Sequence, residues 1–202
     1  MQHTYFLGLF DYEWSAVGSI ATAAAAAIAL LLPMALDLRR RNIERKKERA
    51  NMSDVAQAAD LAILYLSKGV YAWYRGDEPS FHEELAWSLG VAERLSIYAK
   101  GKTLSDDVMD ICLSALIALR LFGDVGGEGL QAAYTSNRIR SLHKAFTIAI
   151  HANSCLDRLQ ENGVNSRFRS KTKKYLEQGR ECLNQIPLDG TGWSRPLITR
   201  VT

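Results

Sequence analysis

A chain of 202 residues with 48% hydrophobic and 23% charged side chains has the make-up of an ordinary globular protein with one core. That composition excludes disordered, collagen-like and disulfide-stapled classes. The formal charge is only +3, but cations and carboxylates are spread unevenly, and the unevenness is the most informative feature of the sequence.

No long stretch alternates apolar and polar residues as a strand would, and four prolines with fourteen glycines leave room for long helices, so an all-α protein is expected. Cys112, Cys155 and Cys182 are odd in number and far apart, and they fit neither a CxxC pair nor a Cys/His zinc spacing. They read as reduced core thiols.

Residues 1–13 carry Asp11 and Glu13 but no lysine or arginine. Residues 14–36, WSAVGSIATAAAAAIALLLPMAL, then run without a charge. As a helix this stretch exceeds the ~30 Å hydrocarbon core of a bilayer, and it shows no polar face of the kind a soluble helix needs. Its alanines insert weakly, so Val17, Ile20, Ile28, Leu30, Leu31, Leu32, Met34 and Leu36 carry the driving force. A cleaved signal peptide would place cations ahead of the apolar stretch; here they follow it.

Arg39, Arg40, Arg41, Arg45, Lys46, Lys47 and Arg49 face only Asp37, Glu44 and Glu48, a local net of +4. The positive-inside rule then predicts an external N-terminus and a cytoplasmic body in the cell membrane, with residues 37–53 as a basic juxtamembrane linker. The same cluster would lie against anionic headgroups of the bilayer. Tyr12 and Trp14 suit the outer aromatic belt, and Pro33 a modest kink. Gly18, Thr22 and Ala26 recur every four residues, a small-residue face through which two spans could approach, so a homo-oligomer is expected.

After the linker, Asn51, Ser53 and Asp54 mark a helix start, and residues 54–75 are apolar on nearly all sides, as in a central helix. Arg75 to Pro79 is a turn. Ser80 and Glu83 form a capping box for an amphipathic helix with Phe81, Leu85, Leu89, Ala92, Leu95 and Tyr98 inward. Thr103 or Ser105 caps a third helix ending at Gly123, and a longer one runs from about Leu130 to Glu161 before Asn162-Gly163. The last spans about Ser166 to Ile186. Residues 54–187 are thus expected to form a cytoplasmic bundle of about five helices, followed by a flexible tail at 188–202. Residues 51–110 hold five basic and ten acidic side chains, and residues 111–202 thirteen and seven. These nets of −5 and +6 imply docking of the halves on each other or head-to-tail association of copies.

Several short patterns bear on chemistry. Asp106-Asp107-Val108-Met109-Asp110 resembles the aspartate-rich motif of prenyl-transferring and terpene-forming enzymes, but no second acidic motif accompanies it. Asp106 and Asp107 instead complement the positive end of their own helix. Arg138 and His143 have the Arg-x4-His spacing that resembles the ribonuclease motif of HEPN domains, small helical bundles. That resemblance implies a phosphate-stabilising arginine and a proton-moving histidine. With sixteen arginines and four histidines the spacing arises cheaply, and Ile139 stands where the family usually has a polar residue.

His143 and His151 lie eight apart, unlike a metal pair, and Gly123 to Gly129 lacks the Lys-Ser/Thr of a phosphate loop, so no metal or cofactor is expected. Arg167, Arg169, Lys171, Lys173 and Lys174 put five cations at the positive end of the last helix, a candidate surface for a phosphate-bearing or acidic partner. Tyr71, Trp73, Tyr74, Phe81, Trp87 and Tyr98 fall in the acidic half and read as packing residues, not as a base-stacking platform, so nucleic acid is not an expected partner. The expected function is a single-pass, membrane-anchored interaction or scaffolding module with an unidentified protein partner. The alternative is a membrane-tethered HEPN-like ribonuclease using Arg138 and His143.

Overall fold

A computed structural model describes residues 4–101, 104–126, 136–161, 163–164 and 166–186, with side chains from Val17 onward and Ser136 excepted. The tail at 188–202 and the expected helix start at Leu130 lie outside them. The described residues form five helices and no strand: α1 Thr4–Arg75, α2 Glu78–Lys100, α3 Asp106–Gly126, α4 Ser136–Glu161 and α5 Arg169–Asn184. The chain divides into two compact units, Met1–Lys47 and Glu48–Thr202.

Residues 37–53 are helical throughout and belong to α1, and no helix begins at Asn51, Ser53 or Asp54. The reason is local. No glycine or proline interrupts the chain between Pro33 and Gly69, and Arg, Lys, Glu and Ala are strong helix formers. The i,i+4 pairs Arg41–Asp37 at 2.9 Å and Arg40–Glu44 at 3.0 Å add a little more. A residue that can cap a helix does so only where the chain actually turns.

In the second unit two helix ends are set by glycine in the left-handed conformation. Gly76 (φ 70°) and Gly163 (φ 83°) take the left-handed conformation, and their amides donate to Trp73 and Gln160 while Asp77 and Val164 donate to Ala72 and Leu159. Both are Schellman ends, closing α1 and α4. The N-cap of α2 is Asp77, three residues ahead of the Ser80 expected from the sequence; its carboxylate accepts from the Ser80 amide at 3.3 Å, with Pro79 in the first turn. The Ser105 carbonyl accepts from Met109 to open α3, which continues one turn past Gly123 to Gly126.

The α1 residues from Val55 to Trp73 form the central element, as the all-round apolar pattern predicts. Val55, Ala58, Ala59, Ile63, Leu66, Val70 and Trp73 are buried, and neighbours surround the helix. Lys68 reaches Glu84 of α2 at 2.8 Å, Gly69 lies against the Phe122 ring of α3, and Asp60 pairs with Arg169 of α5. α2 and α3 pack antiparallel: the Cys112 thiol donates to the Leu95 carbonyl at 3.2 Å, and Gly126 sits on Leu85. Phe81 and Phe122 meet edge to face at 5.7 Å. α5 closes the bundle where Gly179 lets it approach Phe146 and the Ser67 carbonyl.

Two packing expectations fail. Leu89 and Trp87 are 57% and 58% exposed, although Leu89 belongs to the expected inward stripe of α2 and Trp87 to the expected packing aromatics; Trp87 packs on one face only, stacked on Tyr65 of α1 at 6.2 Å. The helix is covered on one side only, so its buried stripe narrows to Phe81, Leu85, Ser88 and Leu95.

Candidate functional site

In the N-terminal unit α1 is long and apolar enough to cross a bilayer, and none of its most apolar stretch is buried. Val17, Ile20, Ile28, Leu30, Leu31, Leu32, Met34 and Leu36 are all exposed. Of the small-residue face, Gly18 has open space where a Cβ would stand, and the Thr22 hydroxyl donates back to the Gly18 carbonyl at 2.8 Å. The hydroxyl is therefore satisfied within its own helix, which suits an apolar surrounding. Arg39, Arg40, Arg41, Arg45, Lys46, Lys47 and Arg49 are all exposed. The two ion pairs among them are surface pairs of little energetic weight, so the cluster keeps its cationic character.

The five cations at the start of α5 do not form one surface. Arg169 is 6% exposed and fills the core side: its Nη1 donates to Asp60 Oδ1 at 2.9 Å and to Asn153 Oδ1 at 2.7 Å, while Nη2 donates to the Asn153 carbonyl at 2.8 Å and lies 2.6 Å from Asp157 Oδ1. Lys173 shares the same Asp157 oxygen at 2.7 Å. Burial alone would raise the Asp157 pKa, but the hydrogen bonds and charges of Lys173 and Arg169 outweigh it and hold the carboxyl below its ordinary value. Arg167 stacks over Phe168 at 4.6 Å. The groove between α4 and α5 mixes Lys173 and Arg180 with Asp157, Glu177 and Glu181. Of the candidate partner-binding residues Arg167, Arg169, Lys171, Lys173 and Lys174, Arg169 is thus buried in ion pairs and Lys173 is paired with Asp157, while Arg167, Lys171 and Lys174 are exposed.

Arg138 and His143 are held by different neighbours. Five positions on a helix separate side chains by about 140° around the axis. Arg138 donates to the Val125 carbonyl at the end of α3 at 3.0 Å, whereas His143 lies against the backbone of Ile186, beyond α5. Burial keeps His143 below the ordinary histidine pKa, the Ile186 backbone opposes this only in part, and its Nε2 is buried without a hydrogen-bond partner.

All three cysteines are unpaired and buried. Burial pushes the Cys112 thiol up to about 11 against the lowering effect of a backbone hydrogen bond, and raises Cys182 with help from Glu181. Cys155 differs in its surroundings. Arg158 Nη2 donates to its Sγ at 3.0 Å and His151 Nε2 lies 3.7 Å from it. Cys155, Arg158 and Leu159 of α4 line a small pocket with Asp107, Asp110 and Ile111 of α3. The sequence holds a signal for this cluster, since His151, Cys155 and Arg158 at i, i+4 and i+7 share one helix face. Two carboxylates of the aspartate-rich pattern thus line a pocket, but among the described residues no three His, Cys, Asp or Glu side chains are arranged to hold a metal ion.

No protein-family model, curated protein or solved structure matches the chain.

Proposed function

We propose that this is a single-pass membrane protein whose helical bundle is an interaction module on the cytoplasmic face of the cell membrane. The observation that carries the reading is the exposed apolar surface of α1 between Val17 and Leu36. Leaving apolar surface in water costs about 25 cal/mol per Å², so an uncharged, all-round apolar helix of this length needs a covering, and a bilayer fits its length. The cations that follow, Arg39 to Arg49, favour the side of the membrane with anionic headgroups and set the N-terminus outside.

The interaction role draws on the bundle's own exposed apolar residues, Leu89 and Ile97 of α2 with Leu113 and Ile117 of α3. Leu89 approaches Gly123, so the two helices contribute to one face. The occupant is a second copy of the chain. Residues 51–110 and 111–202 carry opposite net charge, −5 and +6, so neighbouring copies attract head to tail, and tethering in one membrane raises their effective concentration.

Three measurements test the reading. The protein stays in the pellet after alkaline carbonate extraction of membranes, and release would remove the span. A C-terminal reporter active only outside the cytoplasm stays silent, and activity would reverse the topology. Amine cross-linking in isolated membranes captures a dimer that Ile117→Glu with Leu89→Glu abolishes; an unchanged dimer would move the interface elsewhere.

A further inference from the structure

We propose that Cys155 is an oxidisable thiol, served by His151 and Arg158, that reacts with a small uncharged hydroperoxide entering the pocket between α3 and α4. Helix spacing brings a guanidinium and an imidazole onto the face of α4 that carries the Cys155 sulfur. Cys155 touches both, at 3.0 and 3.7 Å, from consecutive turns of one helix. An arginine donating to sulfur stabilises the thiolate, the form that attacks, and a histidine in contact can take the proton. The pocket beside the sulfur has a volume of about 150 Å³, room for several water-sized molecules at roughly 30 Å³ each.

The charged groups facing the site select the reactant. Arg158 and His151 come from α4, and the carboxylates Asp107 and Asp110 from the facing α3. The two carboxylates repel anions, and the size of the pocket excludes a peptide thiol or disulfide. A neutral peroxide meets neither obstacle. In the step itself the thiol proton passes to His151 and the sulfur attacks one peroxide oxygen. The O–O bond breaks as the S–O bond forms, and the departing hydroxide takes the proton to leave as water. Sulfur is oxidised to a sulfenic acid and the peroxide is reduced, so thiol plus hydrogen peroxide gives sulfenic acid plus water.

Cys112 and Cys182 are internal controls. Cys112 donates its thiol hydrogen to the Leu95 carbonyl, and burial raises the thiols of both Cys112 and Cys182.

The experiment uses the full chain in detergent, treated with dilute hydrogen peroxide and a dimedone probe, with each cysteine read by mass spectrometry. Cys155 is labelled first. Arg158→Gln, which removes the hydrogen bond to Cys155 Sγ, slows its labelling about tenfold, and Arg158→Lys recovers part of the rate. Circular dichroism of the variants establishes that they are folded. Equal labelling of all three cysteines, no labelling of Cys155 before unfolding, or an unchanged rate in folded Arg158→Gln would each overturn the proposal. Its outcome does not depend on membrane topology.

Discussion

Arg169 Nη1 lies 2.9 Å from Asp60 Oδ1, joining α5 to the central helix across 109 residues of sequence, with both side chains buried. Two ions in a core cost a great deal to desolvate, so this contact specifies how α5 docks more than it adds net stability. Asn153, Asp157 and Thr172 supply the surrounding hydrogen bonds, Thr172 through the Asp60 carbonyl.

Losing Arg169 strands the buried Asp60 carboxylate, whereas losing Asp60 still leaves Arg169 with Asp157 and Asn153. Arg169→Met is expected to lower the unfolding free energy by about 3–5 kcal/mol, whereas Arg169→Met combined with Asp60→Leu costs less than Arg169→Met alone. Urea unfolding of the full chain in detergent, followed by circular dichroism, checks this; a double variant as unstable as the sum of its parts would show the pair to be uncoupled.

Gly69 and Gly90 predict opposite responses to one added methyl. A Cβ at Gly69 would stand 2.2 Å from Phe122 Cζ, whereas one at Gly90 meets nothing within 4 Å. Gly69→Ala therefore overpacks the core and destabilises by about 1–3 kcal/mol. Gly90→Ala gains about 0.5–1 kcal/mol from helix propensity. Thermal melting of the two variants separates them, and equal shifts would contradict the packing of α1 on α3.

Acid weakens the bundle through two groups. His143 titrates lower in the folded protein than its usual 6.5, so the unfolded chain binds the proton first and stability falls as pH drops below about 6.5 until the folded value is passed. Asp157, held below its usual 3.8 against burial by Lys173 and Arg169, contributes stability above that value and loses it at lower pH. His143→Gln should reduce the fall in urea midpoint between pH 7.5 and 5.0 while leaving the loss below pH 4. A variant with the full original fall would acquit His143.

Gly18 tests whether the spans themselves associate. Open space at its Cβ makes Gly18→Ile harmless to the isolated helix but obstructive to a helix approaching along Gly18, Thr22 and Ala26. Light scattering in detergent is expected to show a smaller dimer fraction for Gly18→Ile than for the parent chain. An unaltered dimer would assign association to the bundle.

Much of the architecture is a local property and was readable from the residues alone. The uncharged run from Trp14 to Leu36 and the cations after it are composition. The ends at Gly76 and Gly163 follow from glycine's freedom at positive φ, and the central place of residues 54–75 follows from their all-round apolar pattern. Periodicity gives a helix's inward direction but not which neighbour covers it or how far. That is why Leu89 and Trp87 were expected inside and stand exposed, and why a helix start was expected at Asn51 to Asp54 where α1 continues. Only the tertiary structure decided that Arg169 leaves the basic cluster to meet Asp60, that Arg138 and His143 meet different neighbours, and that Asp107 and Asp110 share a pocket with Cys155. Each depends on where α5, α3 or α4 crosses another helix, and crossing geometry is fixed by the volumes of facing side chains, such as Phe122 against Gly69 and Phe146 against Gly179, that lie far apart in the chain.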